Sequence, residues 1–236
     1  MKMLKRIILS TIVVGGMMST PVFAQQQTPI RQSENHQNVV IINEEVESKY
    51  RSKYDEMELE LEESLNNNIS LQSVRKNHDD TSIYTKTFEE EGSIITLGII
   101  YSEEKNNNEG VDTYATTEII THAKVYIDTD ITKISNSDID MSLKITGVEG
   151  GVTALYDSAR LTNINVIVRQ AAAHDSSNSR SDEFDTRQLK YNKSYSWPYI
   201  TLADNVEILG QIVQHDATYT LERGTSTTED TISHLD

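Results

Sequence analysis

The chain has 236 residues, 10 Gly, 3 Pro, no Cys and a formal net charge of -16. Without cysteine there are no disulfides, zinc-thiolate sites or thiol nucleophiles, and surplus acid is the wrong sign for nucleic acid, whose phosphates are neutralised by Lys and Arg. Hydrophobic residues make up only 36%, so a packed core requires that part of the chain stay outside it.

Residues 1–24 have the layout of a cleavable secretory signal peptide. Lys2, Lys5 and Arg6 form its positive end, Ile7 to Met18 its apolar centre, and Val22 and Ala24 stand at the -3 and -1 positions of a cleavage site. The apolar run is shorter than the roughly 20 residues of a bilayer-spanning helix. The pattern predicts a secreted, extracellular protein with no membrane attachment after cleavage. The signal holds three bases and no acid, so the remaining 212 residues carry 18 bases against 37 acids, a net -19. A cysteine-free exported domain must be held by its core alone, which fits a bacterial envelope or extracellular setting.

Residues 25–42 are polar at first and are expected to form a disordered leader. Residues 43–70 are expected to hold an acidic amphipathic helix and a linker. Val46, Tyr50, Tyr54, Met57, Leu61 and Leu65 recur at spacings of 4, 4, 3, 4 and 4, one face of a helix. Asn43 can cap its start, and Glu44, Glu45 and Glu47 suit the positive end of the helix dipole. With nine acids and three bases over 44–65, the outer face is negative. The helix either packs on its own domain or serves self-association through 44–65.

From residue 80 to 236 the period falls to two. Ile95, Leu97, Ile99 and Tyr101 share one strand face, while Ile94 and Ile100 on the other imply burial on both sides. The clearest alternation runs from Ala115 to Ile127, with Glu118, His122, Lys124 and Asp128 on the opposite face. Further rows are Met141, Leu143 and Ile145; Ile164, Val166 and Val168; a candidate strand from Phe184 to Tyr195; and Ala217, Tyr219 and Leu221. Glu91-Gly92 and Gly150-Gly151 read as turns. The expected fold is mainly β: an immunoglobulin-like antiparallel β-sandwich of about seven strands preceded by one amphipathic helix.

No nucleophile elbow, zinc-protease helix or phosphate loop is present, and the six His have no metal-ligand spacing. No catalytic residue is assigned. His122, Lys124 and Asp128 on one strand face are the nearest thing to a catalytic constellation. Tyr191, Tyr195, Trp197 and Tyr199 lie at even spacing, so an extended strand would place them in one row, either a sugar-stacking platform or core packing. Asp175, Asp182, Glu183 and Asp185 could supply oxygen ligands to calcium, the one cofactor these residues bring into view. Asn136, Asp138 and Asp140 alternate like a calcium loop, but Met141 and Gly147 replace the Gly and Glu that an EF-hand needs. A Lys–Asn cross-link of the adhesin type is not expected, because Ile208 to Glu222 contains no Asn.

Three stretches, SLKITGVEGGVTALYDSARLTNINVIVRQ, YNKSYSWPYITLADN and ATYTLERGTST, resemble small secreted β-sandwich proteins of Gram-positive bacteria, over residues 142–227. The shared features are a strand ending at Gly150-Gly151, the Val166–Val168 strand, the aromatic run Tyr195–Tyr199 and the T-x-x-L-x-R-G-T-S segment from Thr218 to Ser226. The resemblance implies a fold and no assigned activity. The expectation is a non-catalytic protein binding or scaffolding at the cell surface, with an envelope glycan or protein as partner. An envelope hydrolase with dispersed acids is the alternative, and an assembly protein built on the 44–65 helix is a third.

Overall fold

The computed structural model describes residues 38–67, 71, 74–76, 81–106, 116–135, 141–171, 176–202 and 213–234. In chain order the elements are β1 (Val39–Ile41), α1 (Glu44–Asn67), β2 (Val74–Lys76), β3 (Thr81–Glu90), β4 (Ser93–Asn106), β5 (Thr116–Ser135), β6 (Met141–Tyr156), β7 (Arg160–Gln170), β8 (Arg180–Thr186), β9 (Lys190–Ser194), β10 (Ile200–Leu202), β11 (Val213–Arg223) and β12 (Ser226–Ser233). A single 3-10 turn, Ser176–Asn178, precedes β8. The signal peptide, residues 25–37 of the expected leader, Asn136, Asp138, Asp140 and Asp175 lie outside the described residues.

The protein is mainly β, with antiparallel pairing and one α-helix among the described residues. The first sheet has the order β1-β6-β5-β4-β3-β2, with β9 and β10 also paired to β6; the second has the order β12-β11-β7-β8. Strands β2 to β6 therefore form an up-and-down meander, unlike the Greek-key order of immunoglobulin domains. More strands form than the seven expected. The additions are mostly three-residue edge segments, among them β1, which recruits Val39–Ile41 from the expected leader.

Two cores sit on opposite faces of the first sheet. Ile83, Ile100, Val125, Ile127 and Val152 meet Ile164, Val166, Tyr219, Leu221 and Ile232 between the sheets. On the other face, Tyr50, Tyr54, Met57 and Leu61 of α1 cover Tyr84, Ile95, Leu97, Ile99, Tyr101 and Tyr126. The double burial read from β4 thus has a direct cause: helix on one side, second sheet on the other. The helix begins as expected, with the Val46 amide donating to Asn43 Oδ1 at 3.4 Å. Tyr54 lies fully buried and donates its hydroxyl to the Val125 carbonyl at 2.7 Å. The apolar stripe is therefore occupied within the chain, and contact with another molecule would have to use the acidic outer face. Part of that acid is matched by sheet lysines: Lys86 lies 2.7 Å from Glu60 and 3.1 Å from Glu56, and Lys124 lies 3.0 Å from Glu58.

Glu91-Gly92 is a turn as expected. It joins β3 to β4 as a two-residue hairpin, with φ of 49° and 90°, the left-handed region that Gly adopts without strain. The Arg-Gly-Thr-Ser segment likewise forms the β11–β12 hairpin, pairing Arg223 with Ser226. Gly150-Gly151 is not a turn. It lies inside β6, opposite Tyr191 and Lys190 of β9. A Cβ on Gly150 would lie 2.3 Å from the Tyr191 hydroxyl, and one on Gly151 would lie 2.4 Å from the Leu189 carbonyl oxygen. Glycine is present here for close approach, not for reversal.

The outer edge of β6 is covered in succession by three short segments. β10 pairs with Met141–Leu143, β9 with Gly147–Gly151 and β1 with Ala154–Tyr156. Between them the Tyr195, Val152 and Ile42 amides donate to the carbonyls of Thr146, Leu189 and Thr153 at 2.8–2.9 Å.

Candidate functional site

The aromatic residues of the sequence reading do not form one exposed row. Tyr191 is 7% exposed and turns into the core, edge-on to Phe184 at 5.6 Å. Tyr195 and Trp197 form a half-buried pair with centroids 4.3 Å apart. Tyr199 is half-buried with the Lys144 ammonium 4.7 Å from its ring centre. The chain leaves strand geometry after Ser194, so the even spacing no longer sets a common face.

The acids of β8 divide between faces. Asp182 accepts from Tyr195 Oη at 2.7 Å and pairs with Lys193 at 2.6 Å, whereas Glu183 is exposed and Asp185 accepts from Asn163 and Asn165 at 3.2 and 3.1 Å. Period-two alternation sends Asp182 one way and its neighbours the other, so the three do not converge. No group of three or more His, Asp or Glu among the described residues is placed to hold a metal ion.

His122, Lys124 and Asp128 are separated by a β-bulge. The β4–β5 register shifts between Ile100 and Tyr101, leaving His122 unpaired and rotated. Its imidazole meets Ser102 at 2.9 Å and Arg223 of β11, and burial, helped by the Arg223 charge, lowers its pKa to about 4. Lys124 and Asp128 instead face the helix side, where Lys124 is only 6% exposed.

Asp128 belongs to a different cluster. A cleft of about 500 Å³ opens between the first turns of α1 and the first sheet. Its floor follows from register: Asp128 of β5 is directly opposite Glu149 of β6, which is directly opposite Asn192 of β9. Side chains at such positions share a face about 5 Å apart. Asn192 donates to Glu149 Oε2 at 3.3 Å, and Asn43 donates to Tyr126 Oη at 3.3 Å. Lys49 and Lys190 stand at the exposed rim. Burial, the Asp130 charge and the Glu149 charge together push the Asp128 carboxyl up to about 6, against opposing help from Ser93 and Lys49. Tyr50 is 3% exposed, and neither its Oη nor Asp128 Oδ1 has a hydrogen-bond partner among the described residues. A larger concavity, of about 710 Å³, lies beside β7 and β8. Its Asp185 is already engaged by asparagines, so it offers less unanswered polarity.

A second polar feature runs between the sheets. Tyr191 Oη lies 2.8 Å from His215 Nε2, and His215 Nδ1 lies 2.8 Å from Thr129 Oγ1. Thr129 Oγ1 lies 2.6 Å from His234 Nε2, whose Nδ1 lies 2.8 Å from Thr96 Oγ1, itself 2.8 Å from Thr87 Oγ1. Burial keeps both imidazoles neutral, His215 well below the usual range and His234 lowered to about 3. His215 continues the inward row of Ala217, Tyr219 and Leu221 two residues upstream, so extending that alternation would have found it.

No helix among the described residues is long and apolar enough to cross a membrane. Comparison with family profiles, curated proteins and solved structures gives no match to this chain.

Proposed function

We propose that this is a secreted, non-catalytic β-sandwich protein that binds at the bacterial cell surface, taking a polyhydroxylated envelope ligand in the cleft beneath α1. One observation carries the reading: carboxylates, carboxamides and phenols converge on a concave floor set by strand register. Planar groups that both donate and accept, beside aromatic faces, suit the alternating hydroxyls and C–H patches of a sugar ring. Residues 1–24 support export, and the strong negative charge supports solubility outside the cell. The facing antiparallel sheets support the sandwich part of the reading, with a meander in place of the immunoglobulin strand order and a helix layer added. Co-sedimentation with purified cell-wall polysaccharide tests binding. The chain should pellet with the polymer, and Asn192→Ala should reduce the bound fraction severalfold. A wild-type chain left in the supernatant would overturn the proposal.

A second reading, an envelope hydrolase, draws on the Asp128–Glu149 pair. A carboxyl raised to about 6 with a second carboxyl group directly across the strand pair is the arrangement of acid-assisted glycoside cleavage. Release of reducing ends from cell-wall polysaccharide, lost in Glu149→Gln, would favour it. Intact polymer after prolonged incubation would exclude it.

A further inference from the structure

The cleft floor carries more acceptor than donor. Asp128 and Glu149 are half-buried beneath α1, with Asp130 beside them on β5 and Glu90 at the end of β3. The cations nearby are spent or peripheral: Lys49 lies 3.7 Å from Glu90, and Lys190 stands exposed at the rim. The positive end of α1 is answered by Asn43 and by Glu44, Glu45 and Glu47 of the first turn. Independently of the acids, Tyr50 is almost wholly buried at this site, and its hydroxyl makes no hydrogen bond of ordinary geometry, its one near polar neighbour being the exposed Lys49 ammonium, 4.8 Å from the ring centre. A buried acceptor left without a donor is costly, and a ligand that brings donors and positive charge recovers that cost.

We infer that the ligand is an amino sugar, a polyhydroxylated ring bearing a free primary ammonium that lodges between Asp128 and Glu149 with Tyr50 beside it. The inference rests on the binding reading above and adds the charge of the ligand. An ammonium supplies three donors, one of them to the unpartnered Asp128 Oδ1, and the sugar hydroxyls meet Asn192, Gln188 and Lys190. An N-acetylated ring presents a neutral amide at the same place and leaves the carboxylates unanswered. Binding a cation also ionises Asp128, whose surroundings are Tyr50 and Lys49 of α1, Glu90 and Ser93 of the β3–β4 hairpin, Asp130 and Tyr126 of β5 and Glu149 of β6. At pH 6, where that carboxyl is half protonated, up to about half a proton is therefore released on binding.

Calorimetric titration of the full chain at pH 6 with a glucosamine tetramer, its N-acetylated counterpart and a tetralysine peptide tests this. The free-amine tetramer should bind at least about tenfold more tightly than either of the others. Its heat should differ between two buffers of unlike ionisation enthalpy, reporting proton release. Asp128→Asn and Glu149→Gln, each checked for a wild-type circular dichroism spectrum, should abolish the preference. Equal or tighter binding of the N-acetylated tetramer overturns the ammonium assignment while leaving the binding reading intact. Tighter binding of tetralysine overturns the sugar assignment, and no heat with either tetramer overturns both readings.

Discussion

His215 and His234 share the hydroxyl of Thr129, which lies 2.8 Å from His215 Nδ1 and 2.6 Å from His234 Nε2. One hydroxyl proton cannot serve both rings, so Thr129 accepts from one imidazole and donates to the other. The Tyr191 end sets the direction. Its phenol has no acceptor among the described residues other than His215 Nε2, so it donates there. Both imidazoles are then Nδ1–H tautomers, with protons pointing from Tyr191 towards Thr87. Nitrogen-15 spectra at pH 7 should show both rings in that form. Thr129→Val keeps the shape but orphans two ring nitrogens, and should cost about 2–4 kcal/mol in urea denaturation.

The same rings set the response to acid. A histidine held below its ordinary 6.5 changes nothing above that pH; beneath it, the unfolded chain takes up a proton that the folded chain refuses. Each such group removes up to about 1.4 kcal/mol of stability per pH unit. His234 does so down to about 3 and His122 down to about 4. Asp128 acts in the opposite sense: with its carboxyl raised from 3.8 to about 6, it favours the folded state below 3.8 and loses that advantage as pH rises through 6. Stability should therefore fall steadily from pH 6.5 to 4.5, with a net uptake of about two protons on unfolding. Denaturant midpoints at three pH values measure this.

Asp128→Asn removes the carboxylate whose ionisation the fold opposes. At pH 7 it should raise stability by about 1–2 kcal/mol, allowing for partial solvent screening. It should also steepen the acid loss by one proton. A variant that is sturdier yet fails to bind separates the stability of the cleft from its use.

Leu61 and Leu59 differ by two positions on α1 and should differ greatly in cost. Leu61 is 2% exposed against the first sheet, whereas Leu59 is 60% exposed. Leu61→Ala should lose about 2–4 kcal/mol and Leu59→Ala under about 0.5 kcal/mol, read by chemical denaturation.

Gly150→Ala places a methyl group against the Tyr191 hydroxyl and the Tyr126 carbonyl. Thermal denaturation should show a loss of about 3 kcal/mol or more, since the buried Tyr191 ring and the Tyr126 strand backbone must both yield.

The helix face and the long strands were legible because their signal is local. Tyr50, Tyr54, Met57 and Leu61 advertise a period of 3.6, and the rows on β4 and β7 a period of two. The short strands β1, β2 and β10 carry no such signal, because a three-residue segment is extended only by virtue of its partner. The cleft was illegible for a related reason. Asp128, Glu149 and Asn192 are neighbours through register alone, and register follows from bulges between Lys124 and Val125 and between Asp130 and Ile131. The bulge at His122 had the converse effect, breaking apart residues that simple alternation had grouped.

The covered edge of β6 bears on how the chain reaches this structure. Its neighbours β1, β9 and β10 arrive from residues 39–41, 190–194 and 200–202, on both sides of β6 in the sequence. Each closes a long loop for only a few hydrogen bonds, so this seam is expected to form after the meander of β3 to β6, an order that pulsed hydrogen exchange during refolding would reveal. Until then a 16-residue strand offers one bare rim of amides and carbonyls to any other chain. In a concentrated refolding mixture that rim is the adhesive part of the molecule, and the high negative charge of the chain keeps its copies apart while the seam closes.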